Sequence, residues 1–335
     1  MRATISQIAY EAGVSTATVD RVLNEREGVR EKTRGRVIEV ANRLGYFGGG
    51  SRTMVGDVRM DFILPAGSNS FMVALGRHLL DEAQVRPQVR AQLHLIDGFD
   101  AGTLADKLYE LRGATDAIGL VGLDHPQVRE AIAAVQASGI PVSTLVSDIP
   151  ASGRVGYVGI DNRAAGRLAG WLVGRFLDDR RGREIAVFAG SLAYRGHEER
   201  EMGFRALLGE EFPHLEMSRI MEVSDDRELA YEAARELLRH RPPAAIYNIG
   251  AGNQGIARAL QETGLDQRVV FIGHELTDSS RRLLLGRVMD AVIDQNPRVE
   301  AREIVKLLVS AVRKAPEPTY MPRLQVIFRE NIPVG

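Results

Sequence analysis

Apolar residues recur at two different spacings along this chain, and the change of spacing divides it. Over the first 46 residues the spacing is helical: Ile5, Ile8 and Ala9, then Val19, Val22 and Leu23, then Val37, Ile38, Ala41 and Leu44. Thr4, with Gln7 three residues later, predicts a capping box that opens the first helix. Gly13 predicts a tight turn, and Ser15 predicts an N-cap for the second helix. Two short helices joined by a few residues including glycine make a helix-turn-helix. A third helix from about Glu31 to Leu44 is followed by Gly45, where a left-handed residue is wanted. Gly35 falls inside that helix, at about 1 kcal/mol relative to alanine.

Beyond residue 58 short apolar runs alternate with amphipathic segments. The strand candidates are Val58–Leu64, Ala91–Ile96, Ala117–Val121, Val142–Leu145, Val155–Ile160, Ile185–Ala189, Arg219–Val223, Ala244–Ile249, Val269–Ile272, Ala291–Ile293 and Leu324–Phe328. Strands alternating with helices predict an α/β fold of parallel sheets covered on both faces. So many strands are more natural as two doubly wound lobes than as one sheet. Ligands in such folds sit at the carboxyl ends of strands, and a cleft between two lobes can close on a small molecule. Between the two regions, FGGGSRTMVGDV reads as a glycine-rich linker. The expected division is therefore a head at 1–46, a linker at 47–58 and a body at 59–335.

A length of 335 residues fits two or three domains. There is no cysteine, which excludes disulfides, thiolate metal sites and cysteine nucleophiles and fits a reducing cytoplasm. No apolar run reaches the ~18 residues of a membrane span, and MRATISQIAYEAG has no signal-peptide core, so a cytoplasmic protein with no membrane partner is expected. Net charge is −1, but residues 1–55 carry nine Lys and Arg against six Asp and Glu. A basic head on an acidic body points to a local nucleic-acid footprint.

The second helix gives that footprint a geometry. Such a helix lies in the major groove with its N-terminal residues against base edges. Thr16, Ala17 and Arg21 face outward from it; Arg21 can donate two bonds to guanine, and the Ala17 methyl can touch thymine. Thr4, Ser15, Thr18, Asn24 and Thr33 offer hydroxyl or amide groups to phosphates, which position a protein without specifying sequence. The bland alternative is a plain three-helix bundle. The run TISQIAYEAGVSTATVDRVLN, then GVREKTRGRV, then LGY, resembles the headpiece of the LacI/GalR repressor family nearly end to end. The resemblance makes Thr16, Ala17 and Arg21 the base readers. It also implies a homodimer on pseudo-palindromic operator DNA, with repression as the default. Asp20 departs from the usual serine and implies an unusual operator preference. The linker is shorter than the family's hinge helix and lacks its usual signals. Arg52 is a candidate for the minor groove, and Met54 or Val55 for a wedge.

The body resembles the periplasmic sugar-binding-protein fold that this family uses as its effector domain. On that resemblance the effector-binding candidates are Asn69, Phe71, Asp148 (with its neighbour Ser147), Arg195, Arg200, Asn248, Glu275 and Gln295. Carboxylates and amides exchange hydrogen bonds with hydroxyls, arginine donates in a fork, and a ring covers an apolar sugar face. The expected effector is a sugar, a polyol or a sugar acid.

Other readings compete. Gly250-x-Gly252-x-x-Gly255 follows a strand and precedes a helix, with Glu275 twenty residues beyond, which is formally a dinucleotide fingerprint. It would make the chain an NAD(P)-dependent oxidoreductase, but too little chain follows for a dinucleotide domain plus a substrate domain. A solute-binding protein for uptake leaves the head without a role. The seven histidines form no metal spacing, and His197-Glu198-Glu199 reads as a solvated helix start. Asp225-Asp226 and Arg180-Arg181 read as exposed helix-end charges. No cofactor, metal or catalytic residue is called for, and the expected function is ligand-controlled, sequence-specific DNA binding without enzyme activity.

Overall fold

The structure, a computed structural model, describes residues 4–23, 29, 31–44, 57–177, 184–315, 318 and 320–333. The chain forms two compact units, Met1–Gly56 and Asp57–Gly335. Most of the stretch read as a linker, with Arg52, Met54 and Val55, lies outside the described residues, as do Asn24 and Arg180-Arg181.

In the first unit α1 (Ile5–Ala12), α2 (Thr16–Leu23) and α3 (Glu31–Arg43) follow the apolar spacing. Their core is Ile8, Ala9, Ala12, Val19, Val22, Val37, Val40 and Ala41. The Thr4–Gln7 capping box forms, and Gly13 ends α1 at φ 61°, a left-handed conformation that glycine adopts without strain. Ser15 accepts from the Thr18 amide at 3.2 Å. Gly35 is exposed with open space around it, so its only penalty is propensity.

The second unit holds two sheets. In the first lobe β1 (Val58–Pro65), β2 (Val89–Ile96), β3 (Ala117–Leu120), β4 (Val142–Leu145) and β5 (Gly156–Val158) pair in the order β2-β1-β3-β4-β5, all parallel. Helices α4 (Ser70–Gln84), α5 (Ala101–Leu111) and α6 (Pro126–Ala137) alternate with them. In the second lobe the strands are β6 (Glu184–Ala189), β7 (Glu216–Glu222), β8 (Ala245–Asn248), β9 (Val270–His274), β10 (Ala291–Asp294) and β11 (Gln325–Ile327). They run in the order β11-β10-β9-β8-β6-β7, with only β10 and β11 antiparallel. The second lobe's helices are α7 (Asn162–Phe176), α8 (Arg195–Glu211), α9 (Arg227–His240), α10 (Asn253–Thr263) and α11 (Asp278–Leu285). The central strands β3, β4, β8 and β10 are buried at every position. Burial on both faces is why they read as unbroken apolar runs. The fifth candidate strand is shorter than its apolar run, because the chain leaves at Gly159 to cross to the second lobe.

Helix α12 (Pro297–Val312) starts beside the second lobe but packs in the first. Its Ala301, Ile304, Val305 and Leu308 share a core with Phe62, Leu75 and Leu145. The chain thus passes between lobes three times, at β5–α7, at β10–α12 and between α12 and β11. In each sheet one strand, β1 or β6, has a neighbour reached in each direction, and the loops leaving such a switch point open a crevice. The two crevices face each other.

One helix contact sets the geometry on the second lobe's side. Helices α7 and α8 cross where a Cβ at Gly166 would overlap the Arg200 carbonyl, and one at Gly203 would overlap the Arg163 carbonyl. Only glycine lets the two backbones approach this closely. Gly166→Ala is expected to lower unfolding free energy in a urea titration by ~1–3 kcal/mol through overpacking. Gly209→Ala, on the partner helix α8 with nothing within 4 Å of the added carbon, is the control and should be neutral or stabilising by ~0.4–1 kcal/mol.

Candidate functional site

Two surfaces carry chemistry. On α2, Thr16, Ala17 and Arg21 are exposed along one side, while Val19 and Val22 are buried on the other. Thr4 and Ser15 use their side-chain oxygens as helix caps, and Thr18 shares a hydroxyl contact of 2.9 Å with Ser15. Thr33 is half-buried on α3.

The second surface is a cavity of about 200 Å³ between the two crevices. Pro65, Asn69, Phe71, Val121 and Ser147 wall it from the first lobe. Tyr194, His197, Arg200, Asp225, Glu275 and Gln295 are among the residues that wall it from the second. Each follows the carboxyl end of a strand.

Arg200 is the anchor and is 3% exposed. Its Nε donates to Asn162 Oδ1 at 2.8 Å, one terminal nitrogen donates to the Ile249 carbonyl at 2.9 Å, and the other lies 3.6 Å from Glu275 Oε1. Gln295 Nε2 donates to the same Glu275 oxygen at 2.7 Å. Glu275 sits at φ 69°, a strained conformation for a non-glycine residue of the kind that gathers at functional sites. Burial pushes its carboxyl up to about 8, against the pull of Arg200, with the Asp294 charge pushing the same way as burial. Burial also holds His274 well below the ordinary histidine range, so it is neutral at pH 7, with Nε2 at 2.9 Å from the Tyr247 hydroxyl. Glu275 Oε2, Gln295 Oε1 and His274 Nδ1 are buried with no protein partner. An unmet buried polar group is costly, so these three wall residues have unused hydrogen-bonding capacity on one side of the cavity.

The structure brings Asn69, Phe71, Arg200, Glu275 and Gln295 to this cavity. It does not bring Asp148, Arg195 or Asn248. Val146 takes φ 64° just after β4, which turns Ser147 toward the cleft and Asp148 away. Asp148 instead accepts a bidentate pair from Arg154 and a 2.8 Å bond from Thr144. Arg195 opens α8 on the wrong side, because the buried face runs Gly196, Arg200, Gly203 and Phe204. It pairs with Glu199 at 2.8 Å. Asn248 is fully buried, where its Nδ2 ties down the following loop by bonds to the Gly250 and Ala251 carbonyls and Asn253 Oδ1.

Several wall residues were not anticipated, among them Asp225, His197 and Tyr194. Asp225, read as an exposed charge, lines the cavity and accepts from the Ala251 amide at 2.8 Å. Only Asp226 serves as the helix cap, accepting from the Glu228 and Leu229 amides. His197, read as solvated, is half-buried on the wall, with Nδ1 3.1 Å from the Ser191 carbonyl. Tyr194 is buried and donates to the Gly98 carbonyl at 2.5 Å. Their shared signal is position: each follows the carboxyl end of β6 or β7.

The glycines of the dinucleotide-like motif have local reasons. A Cβ at Gly250 would overlap Asp225, Gly252 adopts φ 101°, and a Cβ at Gly255 would overlap the Arg227 carbonyl where α9 meets α10. Among the described residues, no group of three or more His, Asp or Glu is placed to hold a metal ion, and no helix is long and apolar enough to cross a membrane.

Comparison with known proteins matches both parts of the chain. Residues 4–47 match the family described as "Bacterial regulatory proteins, lacI family", and residues 60–316 match "Periplasmic binding protein domain". Catabolite control protein A of Priestia megaterium is 27% identical over 288 residues, spanning 79% of this chain and 80% of that protein. HTH-type transcriptional regulator DegA of Bacillus subtilis is 27% identical over 257 residues, spanning 74% of this chain and 73% of that protein. The second unit shares its fold with GanP, a glucose-galactose binding protein from Geobacillus stearothermophilus, at TM-score 0.73 and 23% identity over 83% of this chain and 99% of that one. The chain belongs to the lacI family of bacterial regulatory proteins: it is a DNA-binding transcriptional regulator whose helix-turn-helix head precedes a periplasmic-binding-protein domain.

Proposed function

We propose that this regulator is a cytoplasmic repressor that binds a pseudo-palindromic operator as a homodimer and releases or tightens its hold when a small polyhydroxylated effector occupies the cleft. The effector is a sugar, a polyol or a sugar acid. The observation that carries this reading is the set of buried polar atoms without partners, Glu275 Oε2, Gln295 Oε1 and His274 Nδ1, on three cavity-wall residues beside the Arg200 guanidinium. Ligand hydroxyls would meet both kinds of group, since each donates and accepts. Phe71 supplies an apolar ring on the opposite wall. Asn69 and Phe71 act from the first lobe and Arg200, Glu275 and Gln295 from the second, so one ligand bridges both and shifts the balance between lobe arrangements. Thr16, Ala17 and Arg21 read bases, and Thr4, Ser15, Thr18 and Thr33 approach phosphates. Asn24 and Arg52, outside the described residues, keep the DNA roles expected of them. The function needs no chemical step, cofactor or metal.

The test is a thermal-shift screen of the purified chain against sugars, polyols, sugar acids, sugar phosphates and NAD(P)H. A ligand at 100 times its dissociation constant stabilises the fold by about 2.7 kcal/mol. A hit among the sugars, polyols or sugar acids is expected; a response to NAD(P)H alone would replace this reading with a dinucleotide one. Gln295→Ala and Arg200→Ala should lose the shift while still retarding operator DNA, and an unchanged shift in both variants would remove these residues from the site. Arg21→Ala should weaken binding to an operator selected from random DNA by ~1–3 kcal/mol and relax specificity at one base pair. Equal affinity of variant and wild type would move base readout away from α2.

A further inference from the structure

The two lobes meet through protein groups on both sides of the cavity. Asn69, the N-cap of α4 in the first lobe, accepts the Phe71 and Met72 amides on Oδ1 at 3.0 and 3.4 Å. Its Nδ2 reaches across the cleft and donates to Asp225 Oδ2 at 3.2 Å. Asp225 holds the loop after β8 with its other oxygen, through the Ala251 amide. Further bonds between the lobes run from Tyr194 to the Gly98 carbonyl, from the Gly196 amide to Ser147 Oγ at 3.1 Å, and from Asn162 Nδ2 to the Val146 carbonyl and the Tyr157 hydroxyl, each at 3.3 Å.

The surroundings of Asp225 are shaped around its carboxylate. Ser224 and Asp225 both take left-handed backbone conformations, at φ 50° and 53°, which are uncommon for non-glycine residues, although aspartate tolerates them better than most, and two in succession are rarer still. That pair of turns swings Asp225 out of the helix-cap role taken by Asp226 and into the cleft. The ends of β6 and β8 carry Gly190 and Gly250, and a side chain at either would overlap Asp225 Oδ1. Backbone strain and two glycines at separate strand ends thus make room for one carboxylate, whose second oxygen serves the opposite lobe.

We propose that Asp225 and Asn69 form a latch that closes the lobes with protein groups alone, so that the cleft is shut before an effector arrives. Asp225 is a positioning residue. An effector that uses the Asn69 amide competes with Asp225 for it, and entry begins with the latch breaking.

The chain has no cysteine, so labels go only where they are introduced. Tyr109 on α5 and Leu229 on α9 are 45% and 53% exposed, one on each lobe. Spin labels at Tyr109→Cys and Leu229→Cys in the full chain, mixed with excess unlabelled chain so that a homodimer carries one labelled protomer, report the interlobe distance by pulsed electron paramagnetic resonance, with no effector or DNA added. The expected result is a single narrow distribution for the otherwise unchanged chain. Asn69→Asp keeps a capping oxygen but sets two carboxylates against each other, and should lengthen and broaden the distribution. Asp225→Asn should do the same, because two amide donors then face each other. Combining the two restores donor and acceptor with their direction reversed, and should return the narrow distribution. A broad distribution in the unchanged chain, a wild-type distribution in Asn69→Asp, or no recovery in the double variant would each overturn the latch. Because the readout uses no ligand, a failed effector screen leaves this result intact.

Discussion

The cleft depends on the close crossing of α7 and α8. Gly166 and Gly203 let the backbones meet, and the meeting sets Asn162, at the start of α7, against the guanidinium of Arg200. With Nε held there and a terminal nitrogen on the Ile249 carbonyl, the remaining donors of Arg200 have one direction left, toward Glu275 and the cavity. A buried guanidinium is tolerable only when its protons are met, so this packing contact and the chemistry of the site are one constraint. Glu275 follows from it: burial holds its carboxyl up to about 8, against the opposing pull of Arg200 and of the bond from Gln295.

Much of the fold was legible because fully buried parallel strands read as short apolar runs between helical segments. The eleven expected strands appear among the described residues. The head was legible from its caps and spacing, and the family resemblance fixed its kind. Of the cleft residues, Asn69, Phe71, Arg200, Glu275 and Gln295 were named on the resemblance to the sugar-binding fold, and the structure sets all five on the cavity wall. The errors have local causes. A left-handed residue at Val146 shifted the wall position from Asp148 to Ser147, and helix phase turned Arg195 outward. Adjacent aspartates concealed that Asp225 faces the cleft while Asp226 caps α9. No one-dimensional pattern announces two consecutive left-handed residues, Ser224 and Asp225, that are not glycine.

The three interlobe passages connect the cavity to the rest of the second unit. One of them runs directly from Gln295, on the cavity wall, into α12, whose apolar face lies in the core of the first lobe. Near that passage Glu300 is fully buried with neither oxygen bonded, and burial holds its carboxyl well above the ordinary glutamate range. Burial favours the neutral carboxyl, the form that leaves no uncompensated charge at the passage. On the proposed reading, a ligand held by Gln295 would act on the start of the helix that ties the lobes together, where a small displacement could become lobe rotation.

The central claim is that the cleft and the head are thermodynamically coupled, and linkage tests it without a structure of either bound state. Fluorescence anisotropy of labelled operator DNA, titrated with the full chain in the presence and absence of the screen's best ligand, gives the coupling directly. The account predicts a change in operator affinity of about 5- to 150-fold, with ligand affinity changed by the same factor when operator is bound. Identical operator affinity at saturating ligand, with ligand binding confirmed in the same samples, would contradict it.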